Sequence, residues 1–337
     1  MEKRGKRTWH FENPVYVQST GTAVGPEESK GPIRNSFDVC YNNLYAGQET
    51  WEQAERQLMK DAVETALKKA EKKPEEIDYF IAGDLLNQIV TSNYYARELD
   101  IPFLGIFSAC ATVMEGVALG SLLIDAGAAH LAMVAVSSHN ATAERQFRNP
   151  TEFGGQRPDS ATFTVTGSGA MIIGSKEAQI KITDATIGKV IDMGIRTPFD
   201  MGSAMAPAAA DTIVTHLAET KREPSYYDVI VTGDLSRVGS GILRKLVQEK
   251  GMDLDNHEDC GIIIFDQEQP VFAGGSGAAC PAVVTFGHLI KEMQKKKLRK
   301  MLVVATGALL SPIMIQQKES IPCIAHAVSF ELVEDNV

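Results

Sequence analysis

The chain has 337 residues, of which 44% are apolar and 23% charged, with a formal net charge of −10. These proportions fit a soluble globular protein of about two domains with a sizeable core, and the acidic balance argues against a protein that coats nucleic acid. No apolar run approaches the roughly 20 residues of a membrane-spanning helix, and five widely spaced cysteines (Cys40, Cys110, Cys260, Cys280, Cys323) form neither a disulfide framework nor a CxxC metal site, as expected of a reduced, cytoplasmic chain.

The chain opens on "MEKRGKRTWHF", which is basic like the start of a signal peptide, but no apolar segment follows, so no secretion signal is read. The first helix is predicted in "QLMKDAVETALKKAEKK" (57–73), where apolar residues recur at helical spacing and a proline follows. A buried strand comes next in "PEEIDYFIAGDLLNQI" (74–89), ending at Gly83-Asp84. A helix rich in small residues follows Cys110 in "FSACATVMEGVALGSLLI" (107–124), then a strand in "LAMVAVSS" (131–138). "ATFTVTGSGAMIIG" (161–174) reads as a late strand pair.

The order then repeats. "PAAADTIVTHLAETKRE" (207–223) aligns with the first helix and "PSYYDVIVTGDLSRVG" (224–239) with the first strand, at one constant offset. Pro74, Asp78, Gly83, Asp84 and Leu85 become Pro224, Asp228, Gly233, Asp234 and Leu235. Further on, at a longer offset, Cys110 pairs with Cys280 and "LAMVAVSS" with "MLVVATGA" (301–308). Between them, "CGIIIFD" and "QPVFAGG" read as an extra hairpin in the second half, the counterpart of the late strand pair in the first. Matches at several sites argue for duplication, at a period too long for a solenoid. Alternating helices and buried strands imply α/β architecture, with parallel sheets covered by helices on both faces.

Several segments carry more than one reading. Asp84 and Asp234 both follow strands, which favours a shared turn role ahead of a ligand role. His139 ends a strand beside Arg145, Arg148 and Arg157, at a position that faces sites in parallel sheets and equally suits a polar dimer interface. Asp200 or Ser203 is the expected cap of the helix after "RTPFD". "KEMQKKKLRK" (291–300) is read first as a solvated helix end and second, with Lys3, Arg4, Lys6 and Arg7, as a membrane-surface contact. Strings such as "GGSGAAC" lack the acidic residue that a dinucleotide site needs, so no cofactor is expected.

The segment around Cys110 resembles the nucleophile turn of thiolase-fold condensing enzymes, and "TGSGAMIIG", "GGSGAACPA" and "VATGALLSP" resemble that family's Gly-rich late segments. "GTAVGPEESKGP", "DLLNQIVTSNYYAREL", "GIFSACATVMEG" and "RTPFDMGSAMAPAA" are similar in wording to a thiolase-like family of sporulation proteins. The resemblance covers nearly the whole chain. It implies a five-layered αβαβα sandwich built from two duplicated halves, 1–176 and 177–337, and a homodimer that pairs a strand near "SSHNAT", or one of its neighbours, across its axis. In the condensing enzymes a catalytic His follows the second-half strand, with an Asn three residues later and a second Asn in the late Gly-rich loop. Counted from Asp228, these places fall on Gly233, Ser236 and Gly275.

Condensation needs an activated thiolate and stabilisation of charge at the thioester oxygen. Cys110 at a helix start has its thiolate favoured by the helix dipole, but two glycines supply neither imidazole nor amide. Losing one such donor costs roughly 10²–10³ in rate, so no catalytic residue is assigned. The two glycines are expected to enlarge a pocket above Cys110. The resemblance implies its ligand, dipicolinic acid (pyridine-2,6-dicarboxylic acid) or its calcium chelate, loaded into the developing spore and released at germination. The residues expected around it are Cys110, Gly233, Asp234, Gly275, Ser276 and Gly307, with His139, Phe199 and Met201 as further walls, and no metal-ligating side chains. The implied partners are membrane proteins of the same operon, at the cytoplasmic face of the spore inner membrane, with no transmembrane segment in this chain. The alternative is a degenerate condensing enzyme or acyltransferase still using Cys110; a third reading is a structural subunit of a membrane complex.

Overall fold

The computed structural model describes residues 1–147 and 157–333. A short β1 (Glu2–Arg4) folds back on β2 (Thr8–Val24), a 17-residue strand, and β3 (Val39–Cys40) pairs with the far end of β2. Then come α1 (Trp51–Ala70), β4 (Tyr79–Asp84), α2 (Val90–Leu99), β5 (Phe103–Gly105), α3 (Thr112–Asp125), β6 (Leu131–Ser138), α4 (Asn140–Phe147), β7 (Phe163–Thr164) and β8 (Gly167–Gly174). The second series runs β9 (Ile180–Thr186), α5 (Met201–Thr220), β10 (Val229–Thr232), α6 (Ser236–Gln248), β11 (His257–Asp259), α7 (Cys260–Ile263), β12 (Gly275–Ser276) and α8 (Ala279–Val283). A π-helical stretch (Val284–Leu289) leads into α9 (Ile290–Gln294), and β13 (Lys300–Ala308), α10 (Pro312–Gln316) and β14 (Cys323–Leu332) complete the chain.

The strand order β5-β4-β6-β8-β2 is matched by β11-β10-β13-β14-β9. In each half-sheet the first three strands are parallel, and the fourth, β8 or β14, runs antiparallel to both of its neighbours. The sheets are therefore mixed, not purely parallel as the alternation of elements implied. Long β2 joins them, pairing with β9 over its first part and with β8 over its second. Helix α3 packs on β4, β6 and β8 on one side and on β13 and β14 on the other, so the half-sheets face one another across it. Helices α1 and α2 cover the outside of the first half-sheet, α5 and α6 the outside of the second. The result is five layers, with apolar cores between them.

The repeat is visible in the helix ends. Thr50 caps α1 in a reciprocal capping box with Gln53, and Asp200, through Oδ1, caps α5. Both helices stop at a left-handed residue, Glu71 or Lys221. There Lys72 N–H donates to Leu67 and Arg222 N–H to Leu217, the pair of leucines matched in the sequence repeat. Such closures satisfy carbonyls that the helix itself leaves open.

Two expectations are corrected here. "CGIIIFD" and "QPVFAGG" form no hairpin: the first contains the short helix α7, and the second leads into β12, which pairs in parallel with β7. The counterpart of β8 is instead β14, the last strand. The strand ending in "SSHNAT" is β6, which is paired on both sides, with β4 and with β8. It has no free edge to offer a second copy; the outermost strand of that half-sheet is β5.

Candidate functional site

The turn before α3 is tightly built. Ala109 is held at φ +50°, a left-handed conformation that costs free energy for a residue with a side chain. Thr112 secures it: its hydroxyl donates to Ala109 O at 2.6 Å and accepts from Ser108 N–H at 2.9 Å. Gly307 packs against the same turn, where a Cβ would lie 2.2 Å from Ser108 O. Only glycine lets the end of β13 come so close. Cys110, 7% exposed, is thereby fixed at the mouth of α3 between the two half-sheets.

Asp234 lies behind it. This carboxyl is wholly buried and accepts from the Thr306 hydroxyl at 2.6 Å, from Gly277 N–H at 3.0 Å and from the Cys110 thiol. Burial pushes its pKa up to about 7, and the hydrogen bonds from Thr306 and Cys110 only partly offset this. A carboxyl, not an imidazole, faces the sulfur, so it brings no positive charge to stabilise a thiolate.

A narrow cleft opens in front of this pair. Cys110, Thr164, Ser276 and Gly277 give it polar atoms; Leu85, Phe107, Phe147, Met201 and Leu310 make apolar walls. A second depression beside it, lined by Leu86, Asn87, Gln88 and Ile89, shares Leu85, Phe107, Phe147 and Leu310.

Of the residues expected here, Cys110, Met201 and Ser276 line the cleft, while Asp234 and Gly307 support it from behind. Ser276 Oγ is hydrogen-bonded to Thr162 Oγ1 at 2.8 Å. The expectation of added room at the two glycines is corrected. A Cβ on Gly233 would point at β13, 3.0 Å from Thr306 N and 3.1 Å from Ala305 Cα. One on Gly275 would lie 2.9 Å from Ile264 Cγ2 and 3.1 Å from the Phe265 ring. Both positions are filled by neighbours, so the cleft owes its space to other residues.

His139 does not line the cleft. Its Nε2–H donates to Leu44 O at 2.7 Å and its Nδ1 accepts from Ala141 N–H, which ties the loop before α1 to the end of β6. Burial lowers its pKa, so the ring is neutral. Phe199 is half-buried off the cleft, its carbonyl accepting from Ser160 Oγ. Arg145 pairs with Glu52 and stacks over Trp51, and Arg157 pairs with Glu144 at 2.7 Å, so neither points a guanidinium into the cleft. Arg148 lies outside the described residues. Cys280 sits within α8 as a fully buried core residue. In the basic cluster, Lys295 and Lys297 hold Glu292, and Lys291 reaches Asp38.

Sequence reasoning missed Phe107, Gly277 and Leu310 as walls, although all three lie in or beside the quoted motifs. It missed Leu85 and Thr164, which lie in quoted segments, and Phe147, which lies in none. It also missed Asp259, whose carboxylate accepts from Leu235 N–H, Ser236 N–H, Gly261 N–H and the Thr232 hydroxyl.

Solved structures share this architecture at low identity. Over 94% of this chain and 99% of its own, 3-oxoacyl-[acyl-carrier-protein] synthase III from Aquifex aeolicus superposes with a TM-score of 0.56 at 13% identity. A variant of OleA from Xanthomonas campestris gives 0.62 over 96% and 99%, also at 13% identity. These likenesses establish a thiolase-like fold and nothing about activity. A curated relative, stage V sporulation protein AD of Bacillus subtilis (strain 168), is 58% identical over 332 residues, 98% of each chain. The family model for stage V sporulation protein AD (SpoVAD) matches residues 5–331. With identity spread over its whole length and the thiolase-like layers in place, this chain belongs to the stage V sporulation protein AD family.

Proposed function

We propose that the chain is a non-catalytic ligand-binding protein of sporulation, which takes dipicolinic acid into the cleft before Cys110. The observation that carries this reading is the Cys110–Asp234 pair, in which the group at the sulfur is a buried carboxyl; the motif count that puts Gly233 and Gly275 at the His and Asn places of the condensing enzymes supports it. A thiol whose partner is a buried acid lacks the positive charge that stabilises a thiolate for thioester chemistry. The cleft that remains has apolar walls from Phe107, Phe147 and Met201 with a few polar groups among them, the mixture that small-molecule sites use.

The same reading places the protein with membrane proteins of its operon at the cytoplasmic face of the spore inner membrane. Among the described residues no helix is long and apolar enough to cross a membrane. It also makes the chain a two-fold dimer. The outer strand β5 is the natural contact, because Leu104 within it and Phe107 just after it are exposed, and pairing would cover an open strand edge. Sedimentation at micromolar concentration checks this: a species of only 36.6 kDa counts against it.

The ligand is tested by calorimetric titration with dipicolinate, using the 3,5-dicarboxylate isomer and acetyl-CoA as controls. Dipicolinate is expected to bind, and Cys110→Leu, which fills the floor, to weaken it at least about tenfold while Cys110→Ala does less. Equal affinity in wild type and Cys110→Leu would place the ligand elsewhere. A stoichiometric acyl adduct on Cys110 after incubation with acyl-CoA, detected by mass spectrometry, would favour an acyltransferase instead.

A further inference from the structure

Asp234 is one residue removed from anything bound in the cleft. Two of its hydrogen-bond donors, Cys110 and the Gly277 amide, belong to residues that line the cleft. Its third donor is the Thr306 hydroxyl on β13. The ionisable groups around it are acids and thiols: Asp259 on β11, Cys110 before α3, Cys260 on α7, Cys280 on α8 and, further off, Cys323 on β14. The groups hydrogen-bonded to it are a hydroxyl, a thiol and an amide, none of them a cation.

We infer that a carboxylate ligand occupies the cleft only when Asp234 is in its neutral form, so that binding carries a proton with it wherever Asp234 would otherwise be ionised. The inference rests on the ligand-binding reading above and adds a residue that sets the pH range of binding. Two like charges held close together in apolar surroundings repel strongly, because little water screens them. The anion cannot displace this charge, since Asp234 is fixed by three bonds and wholly buried. Protonation removes the repulsion and leaves the acid bonded to its neighbours.

The consequence follows from linkage. With no ligand, Asp234 releases its proton near pH 7; a bound anion must raise that value further. Well below pH 7 the acid is already neutral, and affinity should not change with pH. Above pH 7 binding takes up a proton, and affinity should fall toward tenfold per pH unit until the acid ionises in the complex as well. The ligand's own carboxyls ionise near pH 4, so its charge is constant over this range. Other acids near the cleft are also pushed up by burial: Glu55 and Asp84 beside Leu85 and Ala143, Asp259 beside Asp234, and Glu115 near Ser108.

The test is calorimetric titration of the full chain with sodium dipicolinate at pH 5.5 and pH 8, each in two buffers of different ionisation heat. The expected result is a binding heat independent of buffer at pH 5.5, uptake of close to one proton at pH 8, and at least about fivefold weaker binding at pH 8. Asp234→Asn, confirmed as folded by its circular dichroism, should bind with no proton uptake at either pH. Equal affinity and no buffer dependence in the wild type at both pH values would overturn the inference and leave the ligand reading intact. Proton uptake that persists in folded Asp234→Asn would overturn it in favour of another buried acid: Glu55, Asp84, Asp259 or Glu115. Absence of binding at either pH would overturn both.

Discussion

Strands β4 and β10 hold the same place in the two half-sheets, and each is followed through the same Gly-Asp-Leu, yet the two aspartates hold different parts of the molecule. Asp84 accepts from Leu86 N–H, Ser92 N–H and Ser92 Oγ, all within eight residues of itself, and so shapes the loop into α2. Asp234 reaches Thr306, Gly277 and Cys110, which come from three distant segments. In the second half the local task falls to Asp259, at the end of neighbouring β11, which binds Leu235 N–H and Ser236 N–H. With the loop held from the side, Asp234 is available to the cleft. A duplicated motif can thus keep its residues while one copy passes its structural role to a neighbour.

The sharpest way to break the comparison is at the paired glycines. A Cβ at Gly83 would lie 2.3 Å from the Ile106 carbonyl oxygen, whereas one at Gly233 meets nothing nearer than 3.0 Å. Gly83→Ala should therefore cost more than about 4 kcal/mol, because backbone must move, and Gly233→Ala about 1–2 kcal/mol. Urea unfolding of the two variants measures this, and equal losses would show that the two strand ends are not so differently packed.

Next in size are the acids. Asp259→Ala strands three amide N–H groups and a hydroxyl, and Asp84→Ala two amides and a hydroxyl. Each should cost about 3 kcal/mol or more. If Asp259 has taken over the task of Asp84, both losses should exceed that of Asp234→Asn, whose side chain keeps an acceptor of similar shape. A larger loss in Asp234→Asn than in Asp259→Ala would reverse the assignment of roles.

The third comparison is in pH dependence. An unfolded aspartate releases its proton near 3.8 and folded Asp234 near 7. Between those values the folded chain holds more protons than the unfolded one, so this group makes stability fall as pH rises, by at most about 1.4 kcal/mol per unit. Asp234→Asn should flatten the stability profile between pH 4 and 7 relative to wild type. Glu55 and Asp84, whose carboxyls burial also pushes up, contribute with the same sign and remain in the variant. An unchanged profile would mean that Asp234 ionises near its ordinary value.

The sequence by itself determined what depends on near neighbours and on burial pattern. Helical spacing and the following prolines marked α1 and α5, apolar runs marked β4, β6, β10 and β13, and the repeat foretold two series of elements in one order. The small-residue turn at Cys110 was legible because close approach of chain segments demands small residues there. Tertiary structure alone decided whatever joins segments far apart. The residues that line the cleft run from Leu85 to Leu310, and no local pattern records which of them meet. The direction of Gly233 is set by β13, which becomes its neighbour only when the sheet is ordered, so a motif count could place the glycine but not the space beside it. That β6 is interior, and that Asp259 took over the loop beside Asp234, follow likewise from strand order. Strand order is decided by how all the layers pack and connect at once; the backbone hydrogen bonds that follow from it are alike for every strand and leave no mark in the sequence.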